Sequence, residues 1–442
     1  MSASETTAVH AEATAVGGHG SVGLFGATAL VAGSMIGSGI YLLPASLGAV
    51  GSISILGWIA ATTAALALAG MFAWLGIAAP RAKGLPGYVE AGLGPFFGVQ
   101  TAVAYWATNW VGTAAIAVAV AGAAGYLVPA LAGSTPRLLV TLAAIWLGVA
   151  ACWVGPRTVA RVEGLTLAIG LLPVVIAATL GWFAFHPAIF AASWNPQGLS
   201  LGSAVGGSAL TAFWAFLGVE CAAAAAGVVR DPTRNVPRAT LIGVIATAAV
   251  YISACSVLMG ILPATVLAKS SAPFAEAGRA SLGLGLAAVI AVCALLRAQG
   301  CVTGWTLVTS ETTRTAADAG VFPRFFRTRA GERASAVNLL TTGALMSLVA
   351  IATASPSLGQ QFAVLANVSV LLSLYSYILA GGSLVRLSVG LAKGRQVPAQ
   401  VTALVAMVCC IALIASAKPV ELAISLVPVA AGGLLYLWLR RR

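Results

Sequence analysis

Apolar segments of about 20 residues follow one another along the chain, separated by short polar connections. A bilayer hydrocarbon core is crossed by roughly 20 helical residues. The pattern therefore predicts twelve helices, at 22–45, 51–79, 95–127, 138–155, 162–185, 203–229, 239–262, 283–310, 335–354, 362–386, 397–416 and 420–439. The expected fold class is an all-α polytopic membrane protein.

Two of these helices are interrupted. In the first, Ala32 to Leu43 reads AGSMIGSGIYLL, with Gly33, Gly37 and Gly39 close together. Each glycine costs a helix about 1 kcal/mol relative to alanine. Either the small residues let a neighbouring helix pack closely, or the helix unwinds and turns bare backbone toward a ligand, which membranes tolerate only where it lines a cavity or is buried in protein. In the sixth, Ala215 to Cys221 reads AFLGVEC, with Gly218 and Glu220 in mid-span. Matching interruptions in two halves point to an inverted-repeat transporter with its site between the breaks. The repeats are expected at 21–186 (helices one to five) and 200–390 (helices six to ten). Residues 396–442 would add two helices and a short basic tail, and residues 1–20 read as a disordered cytoplasmic tail.

Composition agrees. Of 442 residues, 60% are hydrophobic and 8% charged, against about 25% charged in a soluble domain. A formal charge of +12 could suggest nucleic acid, but most of the 23 Lys and Arg fall on one side of the predicted membrane, with Arg137, Lys269, Arg279 and Lys418 on the other. That asymmetry places both termini in the cytoplasm and leaves no reason to expect nucleic acid. The seven cysteines lie in apolar segments without metal-ligand spacing, so they read as packing residues. No metal site or cofactor is expected.

Among the 11 acids, Glu5, Glu12, Glu90, Asp231, Glu276, Asp318, Glu332 and Glu421 are assigned to tails or connections, and Glu163 and Glu311 to cytoplasmic helix ends. Glu220 alone reads as deep, and an intramembrane acid is a functional candidate by default. The alternative is a protonated structural acid that holds the broken backbone. Arg297 is the other deep charge; it could pair with Glu220, face an outer vestibule, or snorkel. Trp214 and Trp305 stand out among the aromatics because each adjoins a glycine-marked stretch. The three histidines lie in the tail or an outer loop, and HExxH, GxSxG and P-loop patterns are missing. The chain thus reads as a secondary transporter rather than an enzyme or an ATP-driven pump.

The segments GSMIGSGIYLLPASL (Gly33 to Leu47), GPFFGVQTAVAYW (Gly94 to Trp106), FWAFLGVE (Phe213 to Glu220), AAGVVRDPTRNVPRAT (Ala225 to Thr240), SAPF (Ser271 to Phe274), GWTL (Gly304 to Leu307) and AADAGVFP (Ala316 to Pro323) resemble the basic amino acid/polyamine antiporters of the amino acid–polyamine–organocation (APC) superfamily. The resemblance covers about residues 22–440. It implies a LeuT-like 5+5 inverted repeat with helices one and six broken, exchange of an amino acid for a related amine by alternating access, a bacterial inner-membrane location, and a homodimer through the last helices. By position, Gly37, Ser38 and Gly39 resemble the segment that receives the substrate carboxylate. Ala215 and Leu217 resemble the carbonyl acceptors for the amino group, Trp214 an outer lid, Trp305 a middle gate, and Glu220 the proton-sensitive acid. Tyr105, Glu220 and Tyr377 resemble an inner gate; Phe362 and Ser369 match tenth-helix positions near the site. Ser34 stands where the arginine-exchanging members carry Asn, Thr108 and Asn109 replace an Ala-Cys pair, Thr113 replaces Asn, Ala215 replaces Ser, and Arg297 replaces Gly. The cradle and gates are kept while the side-chain pocket differs, and Arg297 bears on specificity. A proton-coupled or facilitative transporter of a neutral amino acid is the alternative; a channel or non-transporting sensor is the reading from another class.

Overall fold

A computed structural model describes residues 22–82, 84–220, 229–327, 335–355 and 357–441. The 1–20 tail, Lys83, Cys221 with the expected second half of helix six, Arg329, Glu332, Arg333 and Arg442 lie outside the described residues, as do the side chains of Ser34 and Ser38. Among the described residues nine helices are long and apolar enough to cross a membrane, with four shorter apolar helices beside them.

The labelled helices are α1 (Leu24–Met35), α2 (Leu43–Gly48), α3 (Ser54–Ala78), α4 (Gly84–Leu93), α5 (Pro95–Leu127), α6 (Ser134–Val154), α7 (Pro156–Thr179), α8 (Leu201–Phe213), α9 (Pro232–Ile261), α10 (Pro273–Leu282), α11 (Leu284–Asp318), α12 (Ala336–Ala352), α13 (Leu358–Leu387), α14 (Lys393–Ala415) and α15 (Pro419–Leu439). The Pro95–Leu127 span falls where the sequence places it: Gly94 at φ 90° ends the preceding helix, and proline at the first helical position starts the next. α4 and α10 are additions, too short at 10 residues each to register as spans.

α5 is the axis of the molecule, 83% buried along its most apolar window, and α15 is the most peripheral span at 11%. α5 packs against α11 and α13, α8 against α3, α9 against α1, and α11 against α7. Small residues make α5 fit: Ala104, Ala107, Ala114, Ala115, Ala117 and Ala121 are fully buried, which brings neighbouring backbones close.

Both expected interruptions are present. α1 stops at Met35, residues 36–37 are non-helical, and one tight turn at Ser38–Tyr41 leads into α2. α8 stops at Phe213; a turn at Trp214–Phe216 follows, Leu217 is extended, and Gly218 adopts φ 101°. A side chain at that φ would be strained, so glycine there belongs to the break.

Glu421 is corrected from a connection to a buried position in the first turn of α15, 2% exposed. Its oxygens accept from Asn367 Nδ2 at 3.0 Å and from the Lys418 N–H at 3.2 Å. An acid at the third helical position satisfies helix-start N–H groups and favours the dipole, which accounts for its tolerance there.

Candidate functional site

The two breaks face a common cavity of about 60 Å³, lined by residues including Met35, Gly37, Gly39, Tyr105, Thr108, Asn109, Gly112, Thr113, Ile116, Trp214, Leu217, Gly218, Glu220, Trp305 and Ser373. A cavity needs at least about 10–15 Å³ on this measure to hold a water, so this one has room for water but is small. Such tightness follows from aromatic and tyrosine closures on its sides.

The Trp214 indole forms one closure. It lies against Gly39, where an added Cβ would overlap the ring, and against Gly112, where a Cβ would sit 2.9 Å from Cη2. Its edge meets Phe362 with centroids 6.0 Å apart at 79°. Glycine at 39 and 112 is therefore what lets the ring lie between helix one and α5.

Glu220 forms the other. Its Oε1 accepts from the Tyr105 hydroxyl at 3.0 Å, and its Oε2 accepts from the Tyr377 hydroxyl at 2.6 Å and from the Gly218 N–H at 3.1 Å. The tyrosines come from α5 and α13, so one carboxylate ties the broken helix to both. Phe72 braces Tyr377 edge-on at 5.3 Å.

Between the closures run the polar residues of α5 and α13. Thr108 Oγ1 donates to the Ala104 carbonyl at 3.2 Å, Ser373 donates to Thr108 Oγ1 at 3.4 Å, and Ser369 donates to the Thr108 carbonyl at 3.1 Å. Thr113 donates to the Asn109 carbonyl at 2.7 Å. Asn109 is the exception: 3% exposed, it lines the cavity with its Nδ2 lacking a hydrogen-bond partner among the described residues. Leaving a buried donor unsatisfied costs about 1–3 kcal/mol.

The structure thus brings together Gly37, Gly39, Tyr105, Thr108, Asn109, Thr113, Trp214, Leu217, Glu220 and Trp305. Phe362, Ser369 and Tyr377 stand behind them, each bonded to or packed on a lining residue. Ala215 is buried beside the lining. The backbone at Ser34 and Ser38 lies on helix one. Met35, Gly112, Ile116, Gly218 and Ser373 complete the wall. Gly112 could have been found only by pairing it with Trp214, which no spacing in the sequence announces.

Arg297 does not line the cavity, and the three readings offered for it are overturned. It is 4% exposed; its Nη1 pairs with Glu163 Oε1 at 3.1 Å and its Nη2 donates to the Ile36 carbonyl at 3.2 Å. Glu163, in the N-terminal half of α7, is thereby the partner of a buried cation, which its placement near a helix end did not announce. The reason is proximity, since α7 packs along α11 and a buried guanidinium requires a counter-charge.

A bundle of apolar helices, nine of them among the described residues long enough to cross a membrane, with two breaks that meet at one cavity, is a polytopic membrane protein. The amino acid permease family model matches residues 22–428. The chain is 34% identical over 364 residues to the putrescine transporter PotE of Escherichia coli (strain K12), covering 82% of this chain and 83% of the relative. It is 34% identical over 370 residues to a cadaverine/lysine antiporter of the same strain, covering 83% of each. A putrescine transporter PotE of Haemophilus influenzae is 31% identical over 363 residues, 82% of this chain and 83% of the relative. The chain belongs to the amino acid permease family, within the APC superfamily.

Proposed function

We propose that this protein is a secondary transporter that exchanges an amino acid for a related amine by alternating access. The observation that carries the reading is the pair of helix breaks facing one cavity, closed by Trp214 against Gly39 and Gly112 and by Glu220 between Tyr105 and Tyr377. Support comes from relatives described as a putrescine transporter and a cadaverine/lysine antiporter. Twelve spans, with repeats at 21–186 and 200–390 in a LeuT-like arrangement and residues 396–442 added, fit the nine long and four short apolar helices when the broken ones are joined. Both termini then lie in the cytoplasm and the protein resides in a bacterial inner membrane, as a homodimer through α14 and α15.

In this reading the backbone of Gly37 to Gly39 receives the substrate carboxylate, because the first N–H groups of a helical turn lack acceptors within it. The carbonyls at Ala215 and Leu217 accept from the ammonium. Trp305 presents a ring face to the aliphatic or cationic side chain. Glu220 is the proton-sensitive gate.

A thermal-shift panel of amino acids and amines on the purified protein tests this directly. A ligand at 100 times its Kd stabilises by about 2.7 kcal/mol, so an amino acid and its decarboxylated amine should both raise the melting temperature. No stabilisation by any amine or amino acid would contradict the proposal. Trp305→Ala should then remove discrimination between side chains, raising the Kd for the best ligand by tenfold or more on the order of 1.4 kcal/mol, as titration calorimetry would show; an unchanged ligand ranking would make Trp305 a packing residue.

Asn109 gives a second test. Its Nδ2 has no hydrogen-bond partner among the described residues to lose, so Asn109→Leu should leave the substrate-free melting temperature unchanged or raised, while weakening ligands with a polar distal end. A lowered melting temperature with unchanged ligand ranking would show that the amide serves the fold. One observation favours a neutral amino acid as the second reading: the cavity carboxylate, Glu220, already accepts three hydrogen bonds, leaving little for a second ammonium group.

A further inference from the structure

The break in helix one exposes carbonyls that the α-helical ladder no longer satisfies. The Met35 carbonyl accepts from the Gly37 N–H at 2.8 Å and from the Tyr251 hydroxyl of α9 at 3.1 Å. The Ile36 carbonyl accepts from Arg297 Nη2 of α11 at 3.2 Å. The same guanidinium reaches Glu163 of α7 through Nη1 at 3.1 Å. A guanidinium fork can serve two acceptors in fixed geometry, and the carbonyl end of a half-helix carries partial negative charge. Arg297 therefore places a cation at the negative end of α1, two residues before the cavity-lining Gly39 turn begins at Ser38.

The seam between α7 and α11 is cut to hold this arrangement. A Cβ on Gly170 would overlap the Arg297 stem, one on Gly300 would overlap Thr166, and one on Gly304 would overlap Glu163. Three glycines thus each make room for one polar residue of the seam. Tyr41, on the far side of the break, donates its hydroxyl to the Gly170 carbonyl. Both sides of the break are anchored on the same seam, Ile36 through Arg297 and Tyr41 through Gly170.

We propose that Arg297, held by Glu163, is a positioning residue for the cradle formed by the helix-one break: it fixes the Ile36 carbonyl from behind the cavity wall and so sets the direction of the Gly37–Gly39 backbone. Its influence on the ligand rests on the transport reading above; its influence on the break does not. The pair is better placed for this than for ligand contact, because Arg297 stands outside the cavity lining.

Hydrogen exchange on the purified full chain reads the break without any ligand. In Arg297→Ala, peptides covering residues 32–42 should exchange roughly tenfold faster or more, the factor expected for loss of a charge-assisted hydrogen bond, while peptides covering 286–296 keep their protection. Added methylguanidinium should restore the break. Arg297→Lys, which keeps the cation but offers a single point of attachment, should lie between wild type and Arg297→Ala, and decides the matter if Arg297→Ala does not fold. Unchanged exchange at 32–42, or protection lost equally along α7 and α11, would overturn the proposal, the second outcome making the pair ordinary packing. In proteoliposomes that exchange lysine for cadaverine, Arg297→Lys should raise KM with little change in kcat; a fall in kcat at constant KM would contradict a positioning role. If wild type exchanges no amino acid for its amine, with this pair or any other, the transport reading fails while the hydrogen-exchange arm still decides this one.

Discussion

Glu220→Gln is expected to preserve substrate binding and to flatten the pH dependence of exchange. Three donors converge on the carboxylate, from Tyr105, Tyr377 and Gly218. A carboxylate accepts all three, whereas a glutamine amide offers one acceptor oxygen and turns an N–H₂ toward a donor hydroxyl. Losing one charge-assisted bond costs about 1.5–3 kcal/mol, which shifts a two-state gate by roughly tenfold or more. In the proposed gate, a proton on Glu220 would take one of the acceptor positions that these donors use, so the expected pH response of wild type passes through this residue. The Gln variant has no such step, and its gate is loose at every pH. Exchange rates in proteoliposomes across a pH series measure this; a Gln variant with the wild-type profile would remove Glu220 from the pH response.

Gly39→Ala should have the larger effect on rate. The added methyl would overlap the Trp214 indole, and the ring has little freedom to retreat: Gly112 lies against its other edge and Phe362 packs 6.0 Å away. Overpacking costs about 1–3 kcal/mol, here borne by the closed state alone. Exchange should fall by tenfold or more, on that scale, while the protein still folds. Gly39→Ala combined with Trp214→Ala should recover part of the loss, because the two changes act on one contact. An additive double variant would mean that the glycine serves some purpose other than the indole.

Much of this was legible in the chain, and the reasons are local. α5 was readable to the residue because Gly94 and Pro95 punctuate an otherwise unbroken apolar run. Both breaks were readable because glycine and an acid in mid-span are costly enough to need a cause. The grouping of Tyr105, Glu220 and Tyr377 was legible only through family resemblance, since the three residues lie far apart in the chain. What sequence could not supply was pairing at long range. Glu163 and Arg297 stand 134 residues apart, and only the packing of α7 on α11 makes them partners. The trace they leave, Gly170, Gly300 and Gly304, looks like ordinary membrane-helix glycine until the seam is seen. Glu421 was misplaced for a similar reason: it reads as a connection acid but caps a helix and meets Asn367, on another span.

The removal of Arg297 from the cavity also changes the specificity argument. A cation beside the ligand would have opposed a basic substrate. With the guanidinium turned to Glu163 and Ile36, the cavity presents neutral hydrogen-bonding groups and one engaged carboxylate. In the proposed transport reading, discrimination would fall to the lining residues Asn109, Thr108, Thr113 and Trp305.

Counterflow in proteoliposomes is the most direct test of exchange itself. Vesicles loaded with unlabelled lysine, cadaverine or putrescine are given a trace of a labelled partner outside. The account predicts that labelled compound accumulates in loaded vesicles and that empty vesicles take up almost none. Equal uptake into empty vesicles, or uptake that fails to saturate, would contradict an antiporter.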